Sequence, residues 1–411
     1  MLARGYMYDY VSDRQLAATR VESGRVVSSG GARYRVVFVP ASRFIPVETM
    51  EHLVRLARGG ATVAFLDGLP EDVAGLNDLA RRRARLAAAK SAFGMAGAER
   101  VGSSVERKRV GAGSVLVAKD VDALLVAAGA RRERATDLGV KLVRRRERDG
   151  ATYFIVNTSG KSIDGWVPLA TSARSAAVYA AMHGTSGVGR VRSSASGTTV
   201  VYLQFPASAS RIVRTYDGDD VRGAAWPYME SAGAPVAVSG RWSLEFLSGG
   251  PALPAKVADA PLGSWTGLAD TTAKNFSGTA RYTIELPRPR APAGTTAWRL
   301  DLGTVHESAR VVLNDEELGT FIGPWFRVEV PVEVFHDRNV LQIEVTNLMA
   351  NRIADLDRRG VPWKKFYNVN FPARLAANRG SEGLFNAGPW PPLPSGLAGP
   401  VTLTPLRPKA F

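Results

Sequence analysis

The residues best suited to acid–base chemistry in this 411-residue chain are its clustered carboxylates, Asp217-Gly218-Asp219-Asp220 and Asp315-Glu316-Glu317. Two carboxyls held close together can divide the work of general acid and general base. Both clusters fall in turn-like stretches, where a solvated turn is the simpler expectation. Glu307 and Glu329 lie on or beside strand-like runs and read as surface positions. The four histidines, His52, His183, His306 and His336, show no metal-ligand spacing, and His306 reads as a hydrogen-bonded structural residue. The chain has no cysteine, which excludes disulfides, zinc-thiolate and iron–sulfur sites and cysteine nucleophiles. It contains no Gly-x-x-x-x-Gly-Lys-Ser/Thr loop and no Gly-x-Ser-x-Gly elbow. The Gly184–Gly189 stretch does not open a helix after a strand, as a phosphate cradle would. No catalytic residue and no cofactor is therefore expected. A structural calcium ion stays open, although no loop shows a diagnostic ligand spacing.

Recognition chemistry is better represented. Trp265, Trp325, Trp363, Tyr367 and Trp390 fall in expected loops, beside Asn347, Asn351, Arg352, Asp355 and Asn368. Aromatic rings stack on flat apolar ligand faces, while amides and charged groups bond polar groups at the rim. Trp325, Asn347, Asn351, Trp363, Tyr367 and Asn368 form the expected substrate-binding set. The competing expectation is loop anchoring and packing against a neighbouring domain. Trp242 and Trp298 alternate within strands and are expected in a core, and Pro389-Trp390-Pro391-Pro392-Leu393-Pro394 reads as a rigid wrapping segment.

The elements that must carry these residues fall into three regions. Over 1–130, strand and helix alternate. Tyr34–Pro40, Ala61–Leu66 and Gly113–Ala118 are apolar runs expected as buried strands. Val47–Arg58 has helical spacing and is stopped by Gly59-Gly60, a second helix is expected around 75–93, and Asp120 caps a third running to Ala128. This order implies a parallel flavodoxin- or glutaminase-like α/β layer; glutaminase chemistry itself is excluded by the missing cysteine. Over 131–234, Val140–Arg145 and Thr152–Asn157 flank a hairpin turn at Asp149-Gly150, and the Gly/Ser-rich 184–197 stretch separates further strands. A small antiparallel β-domain is expected. Over 235–411, short alternating strands follow one another, with 249–263 as a loop and Asn314-Asp315-Glu316-Glu317 as a hairpin turn. A β-sandwich or jelly roll is expected there.

A chain of this length exceeds a single core, so several domains are expected. The formal net charge is +15. It is spread as 19 basic against 13 acidic residues over 1–130, 15 against 9 over 131–234, and 19 against 16 over 235–411. Arg81-Arg82-Arg83 with Arg85 reads as a solvated helix face, and Arg144-Arg145-Arg146 with Arg148 as an exposed hairpin end. Basic clusters with interleaved aromatics are not apparent, so no nucleic-acid partner is expected. No stretch approaches the roughly 20 apolar residues of a membrane span, and no membrane partner is expected. The first ten residues lack the apolar core of a signal peptide and read as the middle of a domain.

The third region also carries a pattern. Phe276–Tyr282 leads to Arg299-Leu300-Asp301-Leu302-Gly303, then Ala309–Asn314 with Leu318-Gly319 and Trp325, then Asn339–Asn347. This resembles the galactose-binding-like jelly roll attached to many glycoside hydrolases. Asn351-Arg352, Asp355, Gly360–Asn368 and Pro394–Val401 resemble the C-terminal end of alpha-L-rhamnosidases of glycoside hydrolase family 106. Tyr8–Val11, Tyr34–Pro40 and Gly59–Val63 resemble the α/β layer that follows the catalytic barrel there. The resemblance implies carbohydrate as ligand and a catalytic barrel supplied upstream or in trans. A barrel of about 250 residues has no room beside the regions already read, so the family's catalytic residues have no counterpart here. The expected role is an accessory part of such an enzyme, with a free-standing carbohydrate-binding protein or a docking module as the alternatives. Intact family members are generally exported; this chain shows no export signal of its own.

Overall fold

In the computed structural model, which describes residues 1–411 apart from Ser196, Asp219 and Tyr367, strands dominate and helices are few. The chain divides into two compact units, Met1–Trp226 and Pro227–Phe411.

The apolar runs of the first unit form a five-stranded sheet. Val36–Val39, Thr62–Leu66 and Gly113–Ala118 lie parallel, in that order, and Val105–Val110 and Glu99–Val101 extend the sheet antiparallel. The layer is thus mixed, because a hairpin that sequence pattern did not reveal adds its two strands at the edge. The run from Tyr34 also divides. Arg33–Tyr34 pairs with Val26-Val27 in a separate three-stranded sheet, and only Val36–Val39 joins the larger one. Helix Val47–Arg58 has the expected bounds and buries Val47, Met50, Leu53, Val54 and Ala57 along one face. Asp120 caps Val121–Ala127 by accepting from the Ala123 amide at 2.7 Å. Helix Leu79–Phe93 holds the first arginine cluster, which does more than face solvent. Arg82 donates to the carbonyls of Ala74, Gly75 and Asn77, Arg83 grips Asp72, and Arg85 bridges Glu48 and Glu51.

The rest of this unit is antiparallel. Strands Thr185–Gly189, Ser175–Ala180, Ser210–Tyr216, Gly150–Asn157 and Val140–Glu147 form one sheet in that order. Ile163–Leu169, Thr199–Phe205 and Val191–Ser193 form another. The Gly/Ser-rich stretch that separates the expected strands itself contains two, Thr185–Gly189 and Val191–Ser193. Its small residues suit a crowded position: a Cβ on Gly187 would fall 2.7 Å from the Trp226 backbone. The second arginine cluster is also not wholly exposed. Alternation turns Arg144 inward, where its Nη1 donates to the fully buried Glu133 carboxylate at 2.5 Å.

The second unit is a sandwich with one core. Strands Val257–Ala260, Trp242–Gly250, Ser277–Pro287, Arg338–Thr346, Ser308–Leu313 and Glu316–Ile322 make one sheet. Met229–Ser231, Thr402–Pro408, Ala297–Asp301 and Arg327–Pro331 make the facing sheet. Inward residues of both, among them Trp242, Tyr282, Trp298, Val311, Val330, Ile343 and Leu403, share one apolar cluster. Each such large side chain contributes about 1.5–3 kcal/mol by leaving water. The expected loop at 249–263 is shorter than its composition suggested, since Val257–Ala260 pairs with the Trp242–Gly250 strand. The hairpin turn narrows to Asn314-Asp315, with φ of 54° and 66°, the backbone a two-residue hairpin demands.

Candidate functional site

Between strands Arg338–Thr346 and Gly396–Gly399 the second unit carries a long segment whose described residues include the α-helix Ala350–Arg358 and the 3-10 turns Pro372–Arg374 and Ala376–Asn378. Side-chain amides hold it in place of a sheet. Asn347, at the strand's end, accepts from the Gly278 amide at 2.9 Å and donates to Phe276 O at 3.0 Å and Ser395 Oγ at 2.9 Å. Asn351 is 3% exposed and donates to Leu393 O at 3.0 Å and Ser395 Oγ at 3.2 Å, while its Oδ1 accepts from the Leu393 amide at 2.8 Å. Ser395 in turn donates its amide to Ser264 Oγ at 2.9 Å, and its carbonyl accepts from the Trp265 amide at 2.9 Å. Gly396 follows with φ +107°, where a Cβ would lie 2.4 Å from the Tyr282 hydroxyl; only glycine lets the chain pass there.

The helix presents two carboxylates that organise the rest. Asp355 accepts from Asn275 Nδ2 at 3.1 Å and from Arg352 and Arg359, each at 3.0 Å. Asp357 accepts from Trp363 Nε1 and Lys364 Nζ, both at 2.7 Å, and from the Ala387 amide at 2.8 Å. Burial alone would raise the Asp357 carboxyl, but these three donors outweigh it and hold the group below its ordinary value. A small cluster of Ala354, Ala373, Phe385 and Ala387, flanked by Ile353, Trp363 and Trp390, fills the space beneath. Trp390 donates to Asn378 Oδ1 at 2.8 Å and meets Phe385 edge-on at 5.6 Å. Asn368 donates to Gly383 O at 3.2 Å and accepts from the Phe385 amide at 2.9 Å.

The expected sugar-binding residues are thus distributed. Asn347 and Asn351 meet at Ser395, and Trp363 and Asn368 meet around Phe385, all with their hydrogen-bonding groups engaged by the protein. Trp325 stands in the bend before strand Arg327–Pro331, with the Arg327 guanidinium 4.6 Å from its ring centroid. Tyr367 lies outside the described residues. Trp265, placed in a loop by its sequence context, is 1% exposed and belongs to the sandwich core; Trp390 anchors the segment. The exposed rings are ones the sequence reading passed over: Phe366 and Phe371 are 76% and 77% exposed, with Val369 at 76% between them. Their signal lay in the Lys365–Phe371 run, where aromatic and aliphatic residues alternate with asparagines.

The acidic turn at 315–317 is likewise engaged in part. Glu317 pairs with Arg310 at 2.7 Å, which holds its carboxyl below the usual value. Among the described residues no group of three His, Asp or Glu is placed to hold a metal ion. An open hollow of about 280 Å³ lined by Asn314, Asp315, His336, Val340 and Gln342 adjoins this turn and contains no aromatic ring.

With this geometry in view, comparisons with known proteins are informative. Residues 1–188 match the family model of glycoside hydrolase family 106, alpha-L-rhamnosidase. The rhamnosidase of Novosphingobium sp. PP1Y shares the fold at a TM-score of 0.73 and 24% identity, over 97% of this chain and 36% of that one. The chain resembles one portion of an alpha-L-rhamnosidase. A Formosa agariphila protein, provisionally named a beta-glucuronidase, is 33% identical over 141 residues, or 32% of this chain and 12% of that protein. The chain therefore spans only part of the rhamnosidase and glucuronidase chains it matches, and these likenesses connect it to hydrolases of carbohydrate metabolism.

Proposed function

We propose that this chain is a non-catalytic accessory portion, C-terminal in position, of an alpha-L-rhamnosidase-like glycoside hydrolase acting in polysaccharide breakdown. It would buttress a catalytic barrel supplied upstream or in trans and contribute to the rim of its substrate cleft. In this reading 1–130 is a flavodoxin- or glutaminase-like layer, 131–234 a small β-domain and 235–411 a galactose-binding-like sandwich. The observation that carries the proposal is that a fold shared over 97% of this chain accounts for only 36% of the solved rhamnosidase. The carboxylates point the same way. Hydrolysis of a glycosidic bond uses two carboxyls roughly 5–10 Å apart, facing a shared cleft. Here Asp355, Asp357, Glu317 and Glu344 are each tied to lysine or arginine. Sequencing of the DNA that lies 5′ to the codon for residue 1 tests the role. A reading frame for a (β/α)8 barrel is expected; its absence would favour a free-standing carbohydrate-binding protein, the second reading, which the exposed Phe366 and Phe371 support.

A further inference from the structure

We propose that the exposed tip of the irregular segment, built from Lys365, Phe366, Phe371 and Arg374, binds an acidic oligosaccharide whose sugar rings bear carboxylates. The proposal rests on the carbohydrate part of the preceding reading and is independent of the accessory role.

Four observations converge on this tip. The first is charge: residues 358–381 contain six basic residues and no acidic one. Part of that charge is used internally. Lys364 pairs with Asp357 and Arg359 with Asp355, while Arg358 and Arg379 donate to the main-chain carbonyls of Gly388 and Ala373. Among the described residues none takes a hydrogen bond or ion pair from Lys365, and Arg374 lies 4.6 Å over the Phe371 ring. Two cations thus remain at the tip to meet an anion.

The second observation is exposure. Phe366, Val369 and Phe371 are 76–77% exposed and Leu375 is 63% exposed. Four large apolar residues open to water within ten positions are a concentration of exposed apolar surface on one short segment, and exposed apolar surface of this kind marks interaction sites. The third is how the tip is held. Asn368 closes onto Gly383 and Phe385, Asn370 Oδ1 accepts from the Ala373 amide at 2.8 Å, and Asn378 donates to Pro372 O at 2.9 Å. With its base fixed by amides, the tip loses little conformational freedom on binding, which lowers the cost of association. The fourth is composition. Rings offer faces for pyranose C–H groups, and lysine and arginine offer charge-assisted bonds to carboxylates. A neutral sugar would leave the cations unmatched. A second copy of the chain would oppose like charge to like.

The test is titration of the complete 411-residue chain with tetragalacturonate, and with the same tetrasaccharide after reduction of its carboxyls. The acidic sugar is expected to bind saturably, and the reduced one at least about tenfold more weakly, a difference of about 1.4 kcal/mol. The double variant Lys365→Ala, Arg374→Ala should abolish that preference. Phe366→Ala with Phe371→Ala should weaken binding of both sugars by about tenfold or more. All these side chains are at the surface, so the melting temperatures should match the parent. Absence of saturable binding, equal affinity for both sugars, or indifference to the phenylalanine pair would overturn the proposal. So would sedimentation showing a dimer that the phenylalanine variants dissolve, because the tip would then be a self-association surface. Binding is measured without turnover, so its failure is distinct from a failure of the accessory role.

Discussion

Glu133 in the first unit and Asp357 in the second are both buried carboxylates with a basic partner, yet their acidities move in opposite directions. Glu133 is fully buried and accepts from Arg144 Nη1 at 2.5 Å and the Ala170 amide at 2.7 Å. Burial dominates and raises its carboxyl above the ordinary value despite these donors. Asp357 keeps 5% of its side chain exposed and gathers three donors, one a lysine ammonium, and its carboxyl is lowered. The contrast shows that an ion pair alone does not set the balance. Glu133 is fully enclosed and burial prevails over its donors, whereas Asp357 is less deeply enclosed and its donors prevail over burial.

The largest expected effect that sharpens this contrast is Asp357→Ala. It strands Lys364, whose side chain is only 16% exposed, together with the Trp363 and Ala387 N–H groups. A loss of about 3 kcal/mol is expected, read as an earlier denaturant midpoint for the second unit. Asn351→Ala removes three hydrogen bonds from a buried amide and should cost about 2 kcal/mol. Glu133→Gln should cost less, about 1 kcal/mol, because the neutral amide relieves the buried charge and keeps an acceptor for the Ala170 amide, while Arg144, 28% exposed, can turn to water. A loss of 3 kcal/mol there would erase the difference between the two carboxylates.

The response to pH separates the two sites without mutation. Folding favours ionised Asp357, so its contribution is complete above the unfolded value, near 4, and is lost as pH falls through the lower folded value. Folding favours protonated Glu133, so its contribution is complete below the unfolded value, also near 4, and is lost as pH rises through the raised folded value. Hydrogen exchange at the Ala387 and Ala170 amides reads each site directly. Between pH 7 and pH 3, protection corrected for intrinsic rate should fall at Ala387 and hold or rise at Ala170. The smallest expected effect is on the arginine-rich helix. Arg82→Ala should cost about 1 kcal/mol through three lost carbonyl bonds, whereas Arg81→Ala, removing only an exposed pair with Asp78, should leave stability unchanged within measurement.

Much of this arrangement was legible in the sequence where local rules decide the outcome. Helix Val47–Arg58, the Asp120 cap and the Asn314-Asp315 hairpin follow from periodicity, capping and turn chemistry acting over a few residues. The edge hairpin at Glu99–Val110 and the strands within Gly184–Gly197 were not legible, because charged or small residues become strands only through partners distant in sequence. What each expected site residue touches was not legible. Nothing in the identity of Asn347 or Asn351 tells that its amide is spent on Ser395 and the main chain. Likewise an indole among turn residues can be carried into the core by a 3-10 turn, as Trp265 is. Arg144 looked solvated until strand alternation set it against Glu133.

The accessory role is tested most directly by incubating the purified 411-residue chain with an aryl alpha-L-rhamnoside and following release of the phenol. No release above the uncatalysed rate is expected. Turnover that disappears when one of this chain's own carboxylates is replaced by its amide would contradict the account.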